Sequence, residues 1–194
     1  MSTKPGQLQL QCTTGVRVGE ALGLKWADVN LEAGTISIRR AIQRQRGKDL
    51  VFVEPKTALS RRTIQLTTFA QEELKSHREH QRSEAQVAGA SWQDTDVVFA
   101  SELGSPLDPT NVTHRFQRTR ERAGLPHLRL HDLRHTAATL LLEQGVHPSV
   151  VREMLGHSTI LLTLGTYSHV NPTIHHDAAA KMNRLFTPRD RELD

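Results

Sequence analysis

The sequence predicts an α+β fold that is mainly α-helical and contains one small three-stranded antiparallel sheet. Apolar residues recur at helical spacing through most of the chain, whereas residues 34–66 contain short β-rich runs separated by polar turns. A chain of 194 residues can enclose a core without disulfides or metal ions, and it has the size of one domain. We therefore expect helices packed around one sheet.

The composition is basic, with a formal net charge of +4. Five positive charges crowd into one stretch: Arg39, Arg40, Arg44, Arg46 and Lys48. Such a cluster favours a polyanionic partner, although it is also typical of a solvated surface. Cys12 is the only cysteine, and the chain has neither a signal-peptide segment nor an apolar run of membrane-spanning length. We expect an intracellular, soluble protein without a membrane partner.

The N-terminal segment, residues 1–12 (MSTKPGQLQLQC), is weakly patterned. Leu8, Leu10 and Cys12 alternate with glutamines instead of forming a helical stripe. We therefore predict that this segment is poorly ordered.

A short amphipathic helix is predicted next, because Val18, Leu22 and Trp26 recur at four-residue intervals. Arg17 lies in the first turn of this helix. Taken alone, an arginine near a helix start is an ordinary surface charge.

The three strands of the predicted sheet are residues 35–39, 50–53 and 63–66, which are rich in β-branched residues. A strongly basic connection, residues 43–49, joins the first two. Lys56 follows the second strand, where a lysine can also serve to blunt a sheet edge. Arg61 and Arg62 lead into the third strand.

The following region is mainly helical. Residues 68–90 predict a charged scaffold helix, residues 97–100 a buried strand or extended segment, and Gly104 a turn. Asp108 and Pro109 mark another helix start, since proline is favoured at the first helical position. That helix carries four arginines, which either follow a DNA backbone or are simply solvated: Arg115, Arg118, Arg120 and Arg122.

Residues 131–167 carry most of the functional signal. His131 and Arg134 are three residues apart, so one helix would present both side chains together. Four apolar residues recur at helical spacing in the same stretch: Leu133, Ala137, Leu140 and Leu141. We expect this stripe to be buried and the polar pair to face away from the core.

A second helix and a tyrosine complete this region. Gly145 ends the first helix and Pro148 starts the next, which runs to His157 before the chain's only tyrosine, Tyr167. Arginine matches two phosphate oxygens, histidine moves protons near neutral pH, and a phenol can act as a covalent nucleophile. These residue types suit chemistry on a phosphodiester.

Four motifs resemble the tyrosine recombinases, the phage and transposon integrase family, which share their catalytic fold with type IB topoisomerases. They are T-G-V-R-V-G-E-A-L-G-L, H-D-L-R-H-T, L-G-H-S and T-Y-S-H-V. Pro55-Lys56-Thr57 resembles the family's β-hairpin with its catalytic lysine. The resemblance implies six catalytic residues: Arg17, Lys56, His131, Arg134, His157 and Tyr167. It also implies that Glu20 is a structural support within the first arginine motif.

The implied reaction breaks and rejoins DNA strands through a 3′-phosphotyrosyl intermediate, without metal ion or other cofactor. The resemblance implies a bacterial or phage-encoded cytoplasmic recombinase that acts on double-stranded DNA, as a homotetramer when full-length. Nine cations are candidates for DNA contact: Arg39, Arg40, Arg44, Arg46, Lys48, Arg61, Arg62, Arg115 and Arg118.

The domain boundaries follow from the same resemblance. We expect a tyrosine recombinase catalytic domain over residues 13–187 and a polar tail over residues 188–194. Only sixteen residues precede Arg17, and the family usually has a separate N-terminal core-binding domain. We therefore expect an N-terminally truncated protein without that domain.

The sequence leaves three alternatives open. One is a truncated DNA-binding remnant without recombination activity, and another is a type IB topoisomerase-like strand transferase. His131 and His135 also have the i, i+4 spacing of a helical zinc site. However, the zinc motif needs Glu after the first His, and Arg134 would place a cation beside the metal. We interpret His135 as a buried structural histidine.

Overall fold

A computed structural model of the chain describes residues 5–45, 47, 49–54, 60–125 and 127–156. Within these residues the α-helices are α1 (Pro5–Thr14), α2 (Val18–Leu22), α3 (Thr68–Ala88), α4 (Pro109–Arg122), α5 (Asp132–Glu143) and α6 (Pro148–Leu155). The strands are β1 (Val29–Asn30), β2 (Thr35–Ile38), β3 (Ala41–Arg44), β4 (Leu50–Val53) and β5 (Arg62–Gln65). The predicted class, mainly helical with a small antiparallel sheet, is confirmed.

The predicted helix boundaries near proline and glycine agree closely with the structure. The Asp108 side chain caps α4 by accepting a hydrogen bond from the Thr110 N–H at 2.8 Å, and Pro109 takes the first helical position. Helix α6 starts at Pro148 and ends before Gly156, whose φ of 66° is left-handed. These local signals therefore fix where the site-bearing helices begin and end.

The sheet differs from the prediction in which strands pair. Strand β2 pairs antiparallel with β1 and β5, with Ile36 opposite Val29 and Ile64. Strand β4 pairs instead with β3 in a separate two-stranded sheet, with Phe52 opposite Ile42. The prediction that residues 35–39, 50–53 and 63–66 form one sheet is therefore wrong. Strand β3, which includes the start of the predicted basic connection, pairs with the second of these strands and keeps it out of the three-stranded sheet.

The N-terminal prediction is also wrong for residues 5–12, which belong to α1. Leu10 is 1% exposed and packs in the main core. The buried side chains of α1 lie at helical spacing, but three of the four are polar: Gln7, Leu10, Gln11 and Thr14. Because glutamine rather than an aliphatic residue occupies the stripe, hydrophobic periodicity misses this helix.

The main core joins α1 to the sheet and to α3. Leu22, Ile36, Ile64, Leu74 and Phe99 belong to it and are almost fully buried. The predicted buried extended segment at residues 97–100 is confirmed, since all four residues are buried and both its ends form isolated β-bridges. Among the described residues, no helix combines the length and hydropathy needed to cross a membrane.

A second, small apolar cluster holds α5 to α6 through Ala138, Val151 and Leu155. Helix α5 also packs on α1. The two helices that carry the C-terminal motifs are therefore fixed against the segment that precedes Arg17.

Candidate active site

Arg17, His131 and Arg134 line one pocket of about 220 Å³. The pocket lies where the start of α2, the start of α5 and one face of α4 meet. Its other lining residues are Gln11, Val16, Val18, Thr113, Gln117, Arg129 and Leu130. Three of the six predicted catalytic residues are thus brought together from opposite ends of the described chain. Lys56, His157 and Tyr167 lie outside the described residues.

Arg17 is held by the carboxylate of Glu20. The Arg17 backbone N–H donates to Glu20 Oε2 at 2.9 Å, and Arg17 Nη1 donates to Glu20 Oε1 at 2.9 Å. Arg17 has extended backbone dihedrals and its side chain is 42% exposed, whereas that of Glu20 is 7% exposed. The buried carboxylate therefore orients a guanidinium that solvent still reaches.

Arg134 is buried, with 4% of its surface exposed. Its Nη1 donates to the Gly15 carbonyl and its Nη2 to the Leu155 carbonyl, each at 2.7 Å. These two bonds fix the plane of the guanidinium. The expectation that the polar pair faces away from the core is wrong for Arg134, because helical spacing places it on the same face as buried Ala137 and Ala138.

The imidazole of His131 stays at the surface just before α5, with its ring 5.0 Å from that of His135. Partial burial lowers the pKa of His131, and the charges of His135, Arg134 and Arg17 lower it further, against the opposing charge of Asp132. The neutral imidazole is favoured, and this is the form that can accept a proton.

His135, predicted to be a buried structural histidine, is half-buried and meets the His131 ring edge-on. Over the described ranges, no group of three His, Cys, Asp or Glu side chains is arranged to hold a metal ion.

The structure corrects our expectation that Arg62 contacts DNA. Its side chain is 4% exposed, and Nη2 donates to Glu20 Oε2 at 2.9 Å. Its Nε also donates to the Met154 carbonyl at 2.7 Å. Although Arg62 is among the residues that line the open cleft between the two sheets, its guanidinium is enclosed by protein partners and belongs to the scaffold of the site.

The sequence held a signal for the burial of Arg62. Along β5, Arg62 and Ile64 are buried while Thr63 and Gln65 are exposed, which is the period of a half-buried strand. Arg62 therefore shares the inward face of the strand with an isoleucine. The pocket residues contributed by α4, Thr113 and Gln117, had no comparable motif.

The other described candidates for DNA contact differ in exposure. Arg39 and Arg40 both pair with Asp28, and Arg44 pairs with Asp108 at 2.7 Å. The side chains of Arg39 and Arg61 are 64% and 62% exposed. These two line an open cleft of about 820 Å³ between the two sheets. Two further candidates lie on α4, where Arg118 is exposed and Arg115 half-buried, and Arg46 and Lys48 lie outside the described residues.

The sequence of this chain is similar to those of known proteins over most of its length. The sequence pattern of the phage integrase family matches residues 4–173. The tyrosine recombinase XerC-like protein of Caldanaerobacter subterraneus subsp. tengcongensis is 36% identical over 184 residues, covering 89% of this chain and 47% of that protein. The integrase of Saccharopolyspora erythraea is 29% identical over 223 residues, covering 89% and 51%. The chain spans about half the length of the curated relatives it matches.

Two solved structures, one of an integrase and one of a recombinase, share the fold of this chain. The Tn1549 transposon integrase in complex with transposon right end DNA superposes with a TM-score of 0.77 and 25% identity, covering 94% of this chain and 58% of that chain. The XerH recombinase bound to its difH substrate superposes with a TM-score of 0.63 and 25% identity, covering 91% and 46%.

Proposed function

Because the chain belongs to the phage integrase family of tyrosine recombinases, we propose that it is the catalytic part of a site-specific recombinase that breaks and rejoins DNA strands. The observation that carries this proposal is the convergence of Arg17, His131 and Arg134 on one pocket. Two fixed guanidinium groups beside a neutral imidazole suit a phosphodiester whose charge grows during attack. This arrangement favours a strand transferase over a DNA-binding remnant.

In the proposed reaction, the Tyr167 oxygen attacks the scissile phosphorus in line, and the bond from phosphorus to the 5′ oxygen breaks. The products are a 3′-phosphotyrosyl link and a free 5′-hydroxyl. A 5′-hydroxyl of a partner strand then attacks the link and releases Tyr167. Each bond broken is replaced by a similar bond, so that no external energy source is needed.

The described residues supply charge and proton transfer. Making phenolate at pH 7 from a phenol of pKa near 10 costs about 4 kcal/mol, which a base and positive charge must offset. His131, whose pKa is lowered, accepts the phenol proton. Arg17 and Arg134 stabilise the charge on the nonbridging oxygens.

The remaining assignments rest on motif resemblance. Lys56 protonates the departing 5′ oxygen, and His157 donates a hydrogen bond to the phosphate. The partner is double-stranded DNA, on which the full-length protein assembles as a homotetramer. We further propose a bacterial or phage-encoded protein that acts in the cytoplasm, in keeping with the sources of its relatives.

Covalent trapping tests this function. The full chain is incubated with nicked duplexes that carry random sequence on both sides of the nick. Cleavage close to the nick releases a short fragment together with its 5′-hydroxyl, so that the covalent intermediate cannot be reversed. We expect an SDS-resistant protein–DNA adduct with the wild-type chain and none with Tyr167→Phe, while DNA affinity stays unchanged. An adduct that survives Tyr167→Phe would exclude Tyr167 as the nucleophile.

A further inference from the structure

The Glu20 carboxylate is shared by two arginines. Glu20 Oε1 accepts from Arg17 Nη1 at 2.9 Å and from Arg62 Nη1 at 3.3 Å. Glu20 Oε2 accepts from the Arg17 backbone N–H and from Arg62 Nη2, both at 2.9 Å. Since two carboxylate oxygens offer about four lone-pair sites, this carboxylate is saturated by the two residues.

Arg62 also holds the C-terminal end of α6. Its Nε donates to the Met154 carbonyl at 2.7 Å. The backbone of Gly156 lies directly against the guanidinium, since a Cβ at that position would stand 3.0 Å from Arg62 Nη1. The residue after Gly156 is His157. Arg62 therefore touches the last described residues before a predicted catalytic histidine.

Arg134 makes a parallel connection. It binds the carbonyl of Leu155, next to that of Met154, and the carbonyl of Gly15, two residues before Arg17. Two buried arginines, Arg62 and Arg134, thus connect the same two segments, which are residues 15–20 and the end of α6. One of them, Arg134, lines the catalytic pocket, and the other does not.

We propose that Arg62 is a positioning residue for DNA cleavage, which acts through Glu20 on Arg17 and holds the C-terminal end of α6 beside that pair. This inference rests on the proposed function. Arginine is required because its planar fork meets both Glu20 oxygens while Nε reaches a carbonyl on another element. Lysine keeps the charge but offers one nitrogen, which cannot serve both partners.

The charge state of Glu20 agrees with this role. Burial alone would raise the pKa of Glu20, but the hydrogen bond and charge of Arg62, together with those of Arg17, bring it below its ordinary value. The carboxylate therefore stays ionised at neutral pH and continues to orient Arg17.

The test is single-turnover cleavage by the full chain of a duplex recovered from the trapping experiment, with protein in saturating excess. We expect Arg62→Lys to slow cleavage about 10- to 100-fold, because displacing a catalytic group by about 1 Å has an effect of that size. DNA affinity should change less than about twofold, since Arg62 is enclosed. The matched control is Arg82→Lys on α3, an arginine that is 61% exposed and paired with Glu79, and it should cleave at the wild-type rate.

A second substrate separates positioning from general stability. Replacing one nonbridging oxygen of the scissile phosphate by methyl removes the charge that Arg17 stabilises. We expect the rate ratio of wild type to Arg62→Lys to fall toward one on this methylphosphonate. Glu20→Gln keeps the side-chain shape but weakens both arginine contacts, and it should reproduce both results even if Arg62→Lys fails to fold.

Three results would overturn the inference: a wild-type cleavage rate in both variants, an equal rate ratio on both substrates, or a loss of DNA affinity that parallels the loss of cleavage. Absence of any adduct with the wild-type chain would overturn the proposed function as well. The two failures are therefore distinguishable.

Discussion

At the scale of single residues, partial burial and then the charges of His135, Arg134 and Arg17 lower the pKa of His131. After partial burial, the charge of His135 is the next cause of the lowered His131 pKa. Removing that charge by His135→Gln should raise the His131 pKa toward its ordinary value. If neutral His131 accepts the tyrosine proton, cleavage falls as pH falls through this pKa, and His135→Gln moves the inflection to higher pH.

A pH–rate profile of single-turnover cleavage measures this shift, and NMR titration of the imidazole carbons assigns it to His131. His80→Gln is the control, because His80 lies on α3 and pairs with Glu84. An inflection at the same pH in His135→Gln and wild type would show that His135 does not set the His131 pKa.

Residue types and motifs were enough to predict Arg17 and His131 as site residues, but they did not predict which arginine side chains are buried. Arg134 was expected to face away from the core, and Arg62 was expected to contact DNA. Both are enclosed because backbone carbonyls and one carboxylate satisfy their donors. Those partners come from distant segments, so that hydropathy along the sequence cannot reveal them.

At the scale of secondary structure, α1 is the clearest departure from sequence expectation. Its buried face is largely polar, yet Leu10 is 1% exposed in the main core. We expect Leu10→Ala to lower the free energy of unfolding by about 2–5 kcal/mol, through lost burial and the cavity left behind.

Urea unfolding followed by circular dichroism measures this loss. Val87→Ala on α3 is the control, because Val87 is 90% exposed, and its effect should stay within about 0.5 kcal/mol. Equal unfolding midpoints for Leu10→Ala and wild type would mean that α1 does not belong to the cooperative core.

The strands show a second limit of sequence reasoning. Residues 35–39, 50–53 and 63–66 were recognised as strands because each run is short and β-rich, and they agree with β2, β4 and β5 to within one residue. Their pairing was not recognised, since β3 has only Ala41 and Ile42 as apolar residues and its end is basic. Pairing depends on which edges meet in the folded chain, and local composition does not specify this.

At the scale of the whole molecule, the proposed binding of DNA by this basic chain depends on its exposed arginines. Arg39 and Arg61 line the cleft between the two sheets, and their ion pairs within the described part of the chain are long, 3.6 and 3.9 Å. If each contacts one phosphate, Arg39→Ala and Arg61→Ala should weaken DNA binding and reduce the slope of log K against log salt by about one.

Fluorescence anisotropy across a salt series measures both effects. Arg82→Ala, which removes an equally exposed arginine outside this cleft, should leave the slope unchanged. If all three substitutions lower the slope equally, the cleft would not be the surface that meets DNA.

The bond from Arg134 to the Gly15 carbonyl joins residues that are 119 positions apart. In a chain made from its N-terminal side, Arg17 is therefore synthesised long before the Arg134 guanidinium that anchors the loop preceding it. Both arginines line the pocket, so the pocket cannot form until α5 has been made. A polypeptide that stops short of α5 thus contains the first arginine motif without the anchor that fixes it.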